Sequence, residues 1–300
     1  MKKKILALLM TSVMVLGAAA CSSSQSGTSN TDNQQQEEQT EPEGTTGQIS
    51  VISREEGSGT RGAFVELMGV VDDDDNDITT VSAEITNSTS VMLTTVAGNP
   101  AAIGYVSLGS LSNDVKAVKV DGVEATTDNV KSGTYAVARP FLLAYKDGSL
   151  SDIAQDYLKF IMSADGQKII GDEGYISVEE GEAYTASGLS GKIVLAGSTS
   201  VAPVMEGLAD AYKALNPDVT IEIQQTGSGS GITSAIEGVC DFGMSSRELK
   251  DSEKAELTST QIAMDGIAVV VNNANTVENL SSETIKGIYL GEITDWADAQ

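Results

Sequence analysis

Residues 49–68 read ISVISREEGSGTRGAFVELM, and this stretch changes character twice along its length. It begins with apolar and polar residues in alternation, passes through glycine and hydroxyl side chains, and ends with apolar residues at helical spacing. The stretch therefore predicts a strand, a glycine-rich loop and a helix in succession. The first backbone N–H groups of such a helix lack intrahelical partners, and together with the helix dipole they favour an anion.

Two later stretches repeat this setting. Residues 197–200 read GSTS and residues 227–231 read GSGSG, and each lies between a β-branched apolar run and a helix-like pattern. Their small hydroxyl side chains add donors without blocking close approach, and Arg54 adds a planar, always charged guanidinium suited to an oxyanion. Ordinary turn chemistry would explain one such loop. Three of them together with an arginine favour an oxyanion site, and phosphate is the anion we expect.

The composition narrows the classes of function. The chain has 300 residues, 40% of them hydrophobic, and its net charge of −25 argues against nucleic acid and a membrane-surface role, because both need basic patches. An acidic protein can still hold an anion where local dipoles and one arginine act in a desolvated cleft. The absence of histidine removes histidine-based triads and histidine-ligated zinc sites. Because the hydroxyl groups have no evident base, we expect a binding protein and not an enzyme.

Two local patterns suggest a cofactor or a metal on first inspection. Gly57-x-Gly59-x-x-Gly62 fits the dinucleotide fingerprint, but an acidic loop follows its helix where a Rossmann unit has its second strand. That loop, residues 72–77, lacks the central glycine and terminal glutamate of an EF-hand. We therefore expect a solvated acidic loop, no cofactor and no metal.

The N-terminus has the pattern of a leader and a tether. Three lysines precede an apolar stretch that ends in residues 17–21, GAAAC, and the pattern resembles a bacterial lipoprotein signal whose Cys21 is lipidated. An ordinary cleaved signal peptide is the alternative. Residues 22–47 contain no aliphatic side chain and predict a disordered tether. We therefore predict a signal peptide over residues 1–21 and a protein held at the outer face of the cell membrane through a lipid alone.

Strand and helix patterns alternate along the rest of the chain, which indicates an α/β fold. We divide it into a block of residues 48–187 and a block of residues 190–300. Ser246 follows a predicted buried strand, at the end of the strand where ligands of open α/β sheets gather. Arg139 is a further candidate anion ligand, with a surface or interlobe position as the alternative.

In combination these motifs resemble the phosphate-binding proteins of bacterial phosphate ABC transporters. The resemblance rests on residues 54–60 (REEGSGT), 195–203 (LAGSTSVAP), 227–232 (GSGSGI) and 241–247 (DFGMSSR), with supporting matches across nearly everything after residue 48. It implies a two-lobed periplasmic-binding-protein fold of type II that closes on inorganic phosphate and delivers it to the permease subunits of an ABC transporter.

The resemblance also implies roles for individual residues. Thr199, Ser200 and Ser228 would donate hydrogen bonds from two helix N-termini of one lobe. Some members of the family place an aspartate where Ser246 stands, so the acceptor for a phosphate proton would be Ser246 or a backbone carbonyl. The other lobe would hold the anion through Arg54, Ser58, Gly59 and Thr60.

The order of the two halves departs from the family pattern. In the family, the half that carries the GSTS motif precedes the half that carries the SGT motif. Here the SGT half (residues 48–187) comes first and the GSTS half (residues 190–300) follows. The chain is therefore a circular permutation with both halves sharing one site, or part of a longer tandem. We expect a composite site. Rival functions are binding of another oxyanion such as sulfate or molybdate, and a surface sensor or adhesion module that kept the fold.

Overall fold

A computed structural model describes residues 46–178 and 181–299, so the predicted signal peptide, Cys21 and nearly all of the predicted tether lie outside the described residues. The strands within these ranges are β1 (Ser50–Arg54), β2 (Glu84–Thr86), β3 (Ala102–Ser107), β4 (Val115–Ala117), β5 (Lys119–Val120), β6 (Ala138–Tyr145), β7 (Ile176–Ser177), β8 (Gly191–Gly197), β9 (Val219–Gln225), β10 (Phe242–Ser245), β11 (Thr258–Asn272) and β12 (Asn279–Leu280). The α-helices are α1 (Gly59–Met68), α2 (Thr89–Gly98), α3 (Thr127–Lys131), α4 (Asp152–Ile161), α5 (Ala164–Asp172), α6 (Ala202–Leu215), α7 (Ser228–Glu237), α8 (Asp251–Lys254) and α9 (Ser282–Leu290).

The long strand β11 connects the two halves of a ten-stranded sheet within the described residues. Its first part pairs antiparallel with β6 up to Gly266, and its second part pairs antiparallel with β3 from Ile267 onward. The strand order is β2-β1-β3-β11-β6-β10-β8-β9, with β4 and β7 pairing on β11. Strands β1, β2 and β3 pair in parallel on one side, and β8, β9 and β10 pair in parallel on the other. The α/β fold is therefore two-lobed, as the sequence predicts.

Each lobe has its own apolar core. The first lobe (residues 46–137 and 267–299) buries Phe64, whose ring stacks on Tyr105 at 4.0 Å between centroids and meets Tyr289 at 4.8 Å. The second lobe (residues 138–178 and 181–266) packs Tyr157 against Tyr212 at 4.9 Å. The chain passes between the lobes at residues 137–138 and again within β11. These two passages are the covalent connections about which the lobes can rotate.

The cores divide the chain differently from the two blocks of residues 48–187 and 190–300. Strand β6 and helices α4 and α5 belong to the first block but pack in the second lobe. The second half of β11 and helix α9 belong to the second block but pack in the first lobe. The physical reason is that strand pairing, which is long-range, assigns each segment to its lobe. Within the described residues no helix is both long enough and apolar enough to cross a membrane.

Candidate functional site

Three strand-to-helix junctions and one further helix converge between the lobes. Helix α1 begins at Gly59, inside the glycine-rich loop, and Ser58 caps it by accepting a hydrogen bond from the Arg61 backbone N–H at 3.3 Å. Helix α7 begins at Ser228 after Gly227, whose φ of 86° lies in the left-handed region that favours glycine. The turn of residues 198–201 leads from β8 into α6. These helix starts lie close together, because Thr60 contacts Ser200 and Gly59 approaches Ser228.

Contacts between side chains bring the two lobes together at this place. The Arg54 guanidinium donates from Nη2 to Thr199 Oγ1 at 3.1 Å, and Thr60 Oγ1 lies 2.9 Å from Ser200 Oγ. Gly59 approaches α7 so closely that a Cβ atom on it would lie 2.3 Å from Ser228 Oγ. The structure thus assembles all eight of the predicted anion-binding residues in one buried cluster: Arg54, Ser58, Gly59, Thr60, Thr199, Ser200, Ser228 and Ser246.

Arg54 supplies the positive charge of this cluster. Its side chain is 2% exposed, and its Nε and Nη2 atoms donate to the two carboxylate oxygens of Glu55, both at 2.8 Å. This bidentate pair fixes the plane of the guanidinium and leaves its outer edge directed at Thr199. The backbone N–H of Arg54 donates to Tyr105 Oη at 3.2 Å, and burial raises the pKa of Tyr105 to about 12, so this hydroxyl stays neutral.

Ser246 lies at the centre of a hydroxyl network. Ser198 Oγ donates to Ser246 Oγ at 2.8 Å, and the Ser246 backbone N–H donates to Ser228 Oγ at 3.2 Å. Its carbonyl accepts from Arg139 Nη1 at 3.2 Å, and Arg139 in turn pairs with Asp265 at 3.1 Å. Arg139 and Asp265 are both about 1% exposed. The structure places Arg139 in a buried ion pair of the second lobe and not at the surface, because its guanidinium is engaged by Asp265 and by the loop that carries Ser246.

A backbone hydrogen bond closes the cluster on its outer side. The Gly229 N–H of the second lobe donates to the Gly57 carbonyl of the first lobe at 2.9 Å. Outside this bond lies a groove of about 1040 Å³ between α1, the acidic loop of residues 72–77 and the segment from Arg247 to Glu253. Gly57, Ser58 and Gly229 line this groove, and the other members of the cluster are buried behind them.

Two residues of the cluster were not assigned from the sequence. Ser198 belongs to the GSTS motif, and its contact with Ser246 depends on the pairing of β8 with β10. Thr89 is the first residue of α2 and lies 3.1 Å from Thr199 Oγ1 through its own Oγ1. A signal for α2 exists, because Ser88 is a favourable N-cap and Met92 and Val96 follow at helical spacing. Within the described ranges, no cluster of three or more Cys, His, Asp or Glu is arranged to hold a metal ion.

The arrangement suits a small tetrahedral oxyanion. Both lobes provide hydrogen-bond donors on small hydroxyl side chains and at helix N-termini. Arg54 adds a positive charge within the buried cluster. Each lobe carries four of the eight clustered residues, so an anion would contact all of them only with both lobes in place.

Comparisons with known proteins show what this chain is similar to. The sequence profile of the PBP superfamily domain matches residues 24–165 and 182–300. The "Phosphate-binding protein PstS 2" of Streptococcus agalactiae is 49% identical over 257 residues, which is 84% of this chain and 88% of the relative. The crystal structure of a phosphate-binding protein of a phosphate ABC transporter from Streptococcus pneumoniae matches with a TM-score of 0.69 and 46% identity, over 85% of this chain and 100% of that one. The "Phosphate-binding protein PstS" of Staphylococcus haemolyticus is 38% identical over 118 residues, or 37% of each chain.

Proposed function

Because this chain belongs to the PBP superfamily and, within it, to the phosphate-binding proteins, we propose that it captures inorganic phosphate between its lobes and delivers it to an ABC transporter permease. The observation that carries the proposal is the Arg54–Thr199 contact at 3.1 Å. It joins the charged group of one lobe to a helix-start hydroxyl of the other at the centre of the donor cluster.

Each lobe would contribute its own set of phosphate ligands. Arg54 would balance the negative charge of the anion, and its pairing with Glu55 would hold the guanidinium ready for two oxygens. The other ligands of the first lobe would be the hydroxyls of Ser58 and Thr60 and the backbone of Gly59. The second lobe would donate from Thr199, Ser200, Ser228 and Ser246.

The mechanism would be hinge closure without chemistry. Rotation about residues 137–138 and about β11 would bring the two sets of donors around a dehydrated anion. Every hydroxyl in the cluster can both donate and accept, so the proton of a hydrogen phosphate can be accepted by Ser246 or by a neighbouring hydroxyl. No bond of the phosphate would be made or broken, and release would follow from reopening at the permease.

Isothermal titration with phosphate, with sulfate and molybdate as competitors, tests this function. We expect one phosphate per chain and at least a hundredfold weaker binding by Arg54→Met, because charge-assisted hydrogen bonds are worth roughly 1.5–3 kcal/mol each. Lys192→Met is the control, since it removes the same charge from an exposed pair with Glu222. Tighter binding of sulfate or molybdate would assign another oxyanion, and no binding of any anion by folded protein would favour a sensor or adhesion module.

The order of the halves is part of the proposal. We propose that the chain is a circular permutation whose two halves share one composite site. The match to the S. agalactiae relative covers most of both chains, whereas the match to the S. haemolyticus relative covers 37% of each. This difference in coverage supports the permuted order. If a relative has its two halves in the opposite order, a linear alignment can match only one of the halves of this chain.

We further propose that Cys21 carries a lipid that holds the protein at the outer face of the cell membrane. Cys21 follows a run of small residues after an apolar segment, and a polar stretch separates it from the folded part of the chain. Metabolic labelling with a radioactive fatty acid tests the anchor. Label should enter the wild type and the Cys240→Ala control but not Cys21→Ala, which should leave the membrane fraction. Label that persists in Cys21→Ala would refute the assignment.

A further inference from the structure

The N-terminus of α2 approaches the proposed phosphate site from the first lobe. Thr89, the first residue of this helix, is 6% exposed although it is polar and begins a surface-facing helix. Its hydroxyl lies 3.1 Å from Thr199 Oγ1 and 3.2 Å from Ser200 Oγ, which are both groups of the opposite lobe. The Thr89 hydroxyl is therefore in contact with the second lobe in the closed arrangement.

Thr89 also faces the charged group of the site. Arg54 Nη1 lies 3.5 Å from Thr89 Oγ1, and the Thr89 backbone N–H points at Thr199 Oγ1 from 3.4 Å. The Arg54 guanidinium, the Thr89 hydroxyl and the Thr89 backbone N–H therefore converge on the position that Thr199 Oγ1 occupies in this structure. An oxygen of a bound anion placed next to this atom would receive hydrogen bonds from all of them.

Helix capping does not account for this side chain. Ser88 caps α2 by accepting a hydrogen bond from the Val91 backbone N–H at 3.2 Å. Thr94 in the same helix shows the usual local role of a helical threonine, because its hydroxyl donates to the Ser90 carbonyl at 3.0 Å. The Thr89 hydroxyl is instead directed away from its helix and into the cluster of the two lobes.

We propose that Thr89 is a phosphate ligand, which donates from its hydroxyl and its backbone N–H to the anion oxygen that Arg54 and Thr199 also bind. The inference rests on the proposed function and extends it to a fourth helix N-terminus of the site, besides α1, α6 and α7. It also gives α2 a part in closure, since a phosphate held by Thr89 and Thr199 links the first lobe to the second.

Titration calorimetry on two substitutions at this position tests the role of the hydroxyl. Thr89→Val keeps the shape and removes the hydroxyl, and we expect it to bind phosphate about 10- to 100-fold more weakly, as for the loss of one hydrogen bond to a charged group. Thr89→Ser keeps the hydroxyl and should stay within about threefold of the wild type. Thr94→Val makes the same chemical change on the exposed face of α2 and should leave affinity unchanged.

A second pair of variants separates a ligand from a residue that only orients Arg54. Arg54→Lys lacks the Nη1 atom that Thr89 faces. If Thr89 contacts the phosphate, the double variant Arg54→Lys/Thr89→Val should bind phosphate at least about 10-fold more weakly than Arg54→Lys alone. Equal affinities of these two proteins would overturn the ligand role.

The remaining outcomes also decide between explanations. Wild-type affinity in Thr89→Val, or an equal loss in Thr89→Ser, would overturn the inference while leaving the proposed function intact. Failure of the folded wild type to bind phosphate would overturn both. Thermal unfolding without phosphate serves as the check on folding, and we expect the same midpoint for Thr89→Val and Thr94→Val.

Discussion

Replacement of Gly59 by alanine should weaken phosphate binding without harming the lobe that carries it. Gly59 is the first residue of α1 and does not adopt a positive φ, so its backbone accepts an L side chain. The new Cβ would lie 2.3 Å from Ser228 Oγ, 2.6 Å from Ser246 Oγ and 3.0 Å from Ser228 Cβ. All three atoms belong to the second lobe, so the clash arises only when the lobes close.

The magnitude follows from the two ways of relieving this clash. Either the hydroxyls of Ser228 and Ser246 rotate away and stop facing the anion, or the lobes stay further apart. Overpacking of this kind costs about 1–3 kcal/mol, which corresponds to roughly 5- to 150-fold weaker binding. Titration calorimetry measures the affinity, and thermal unfolding without phosphate measures the stability.

Gly171→Ala provides the matched control for this substitution. Gly171 lies in helix α5, has no positive φ, and a Cβ on it would meet nothing within 4 Å. Gly171→Ala should bind phosphate like the wild type. Wild-type affinity in Gly59→Ala would refute the reasoning. So would a loss of unfolding free energy without phosphate that is as large as the loss of binding free energy.

Two further predictions concern stability and its dependence on pH. Phe64→Ala should lower the free energy of unfolding, measured in urea, by about 3–5 kcal/mol, because the ring is fully buried between Tyr105 and Tyr289. Leu67→Ala, on the exposed face of α1, is the control and should change this free energy by about 0.5 kcal/mol or less. Similar losses in the two variants would contradict the core assignment. Burial opposes the charge of Asp156, but hydroxyl hydrogen bonds from tyrosines 184 and 212 outweigh it and hold the pKa of this carboxyl below its ordinary value. The Asp156 carboxylate therefore stabilises the fold above the ordinary pKa of about 3.9, and this contribution disappears as the pH falls through the lower folded-state pKa. In urea unfolding as a function of pH, the advantage of the wild type over Asp156→Asn should be constant near neutrality and shrink in acid, and a gap that is the same at all pH values would contradict this.

Local elements of the fold were predictable where local chemistry determines them. The glycine-rich junctions at β1, β8 and β9 were found because apolar runs, small residues and helical spacing lie next to one another in the sequence. Helix α2 was missed because its first turn lies in the polar run from Thr86 to Ser90 and has only a few apolar anchors. The first half of strand β11, TSTQIAMDG, shows no regular alternation of polar and apolar residues, so the sequence indicates this strand only from the apolar run that begins at Ile267.

Long-range features of the site follow from pairing and not from local pattern. The convergence of the loops after β8, β9 and β10 could be expected, because parallel strands bring their carboxyl ends to one edge of a sheet. The loop after β1 belongs to the other lobe and meets them only where the two lobes touch. The partners of Arg139 could not be expected, since Asp265 lies 126 residues away and reaches it only through the pairing of β6 with β11. The same pairing moves β6 into the second lobe, which is why a division into sequential blocks differs from the observed cores. Thr89 reaches the cluster because α2 packs on β3, and no local sequence motif predicts this tertiary contact.

A crystal structure of the protein saturated with phosphate tests the composite site most directly. We expect one phosphate per chain, within hydrogen-bond distance of Arg54 and Thr60 from the first lobe and of Thr199 and Ser228 from the second. A phosphate that contacts residues of one lobe only, or that lies in the outer groove, would contradict it.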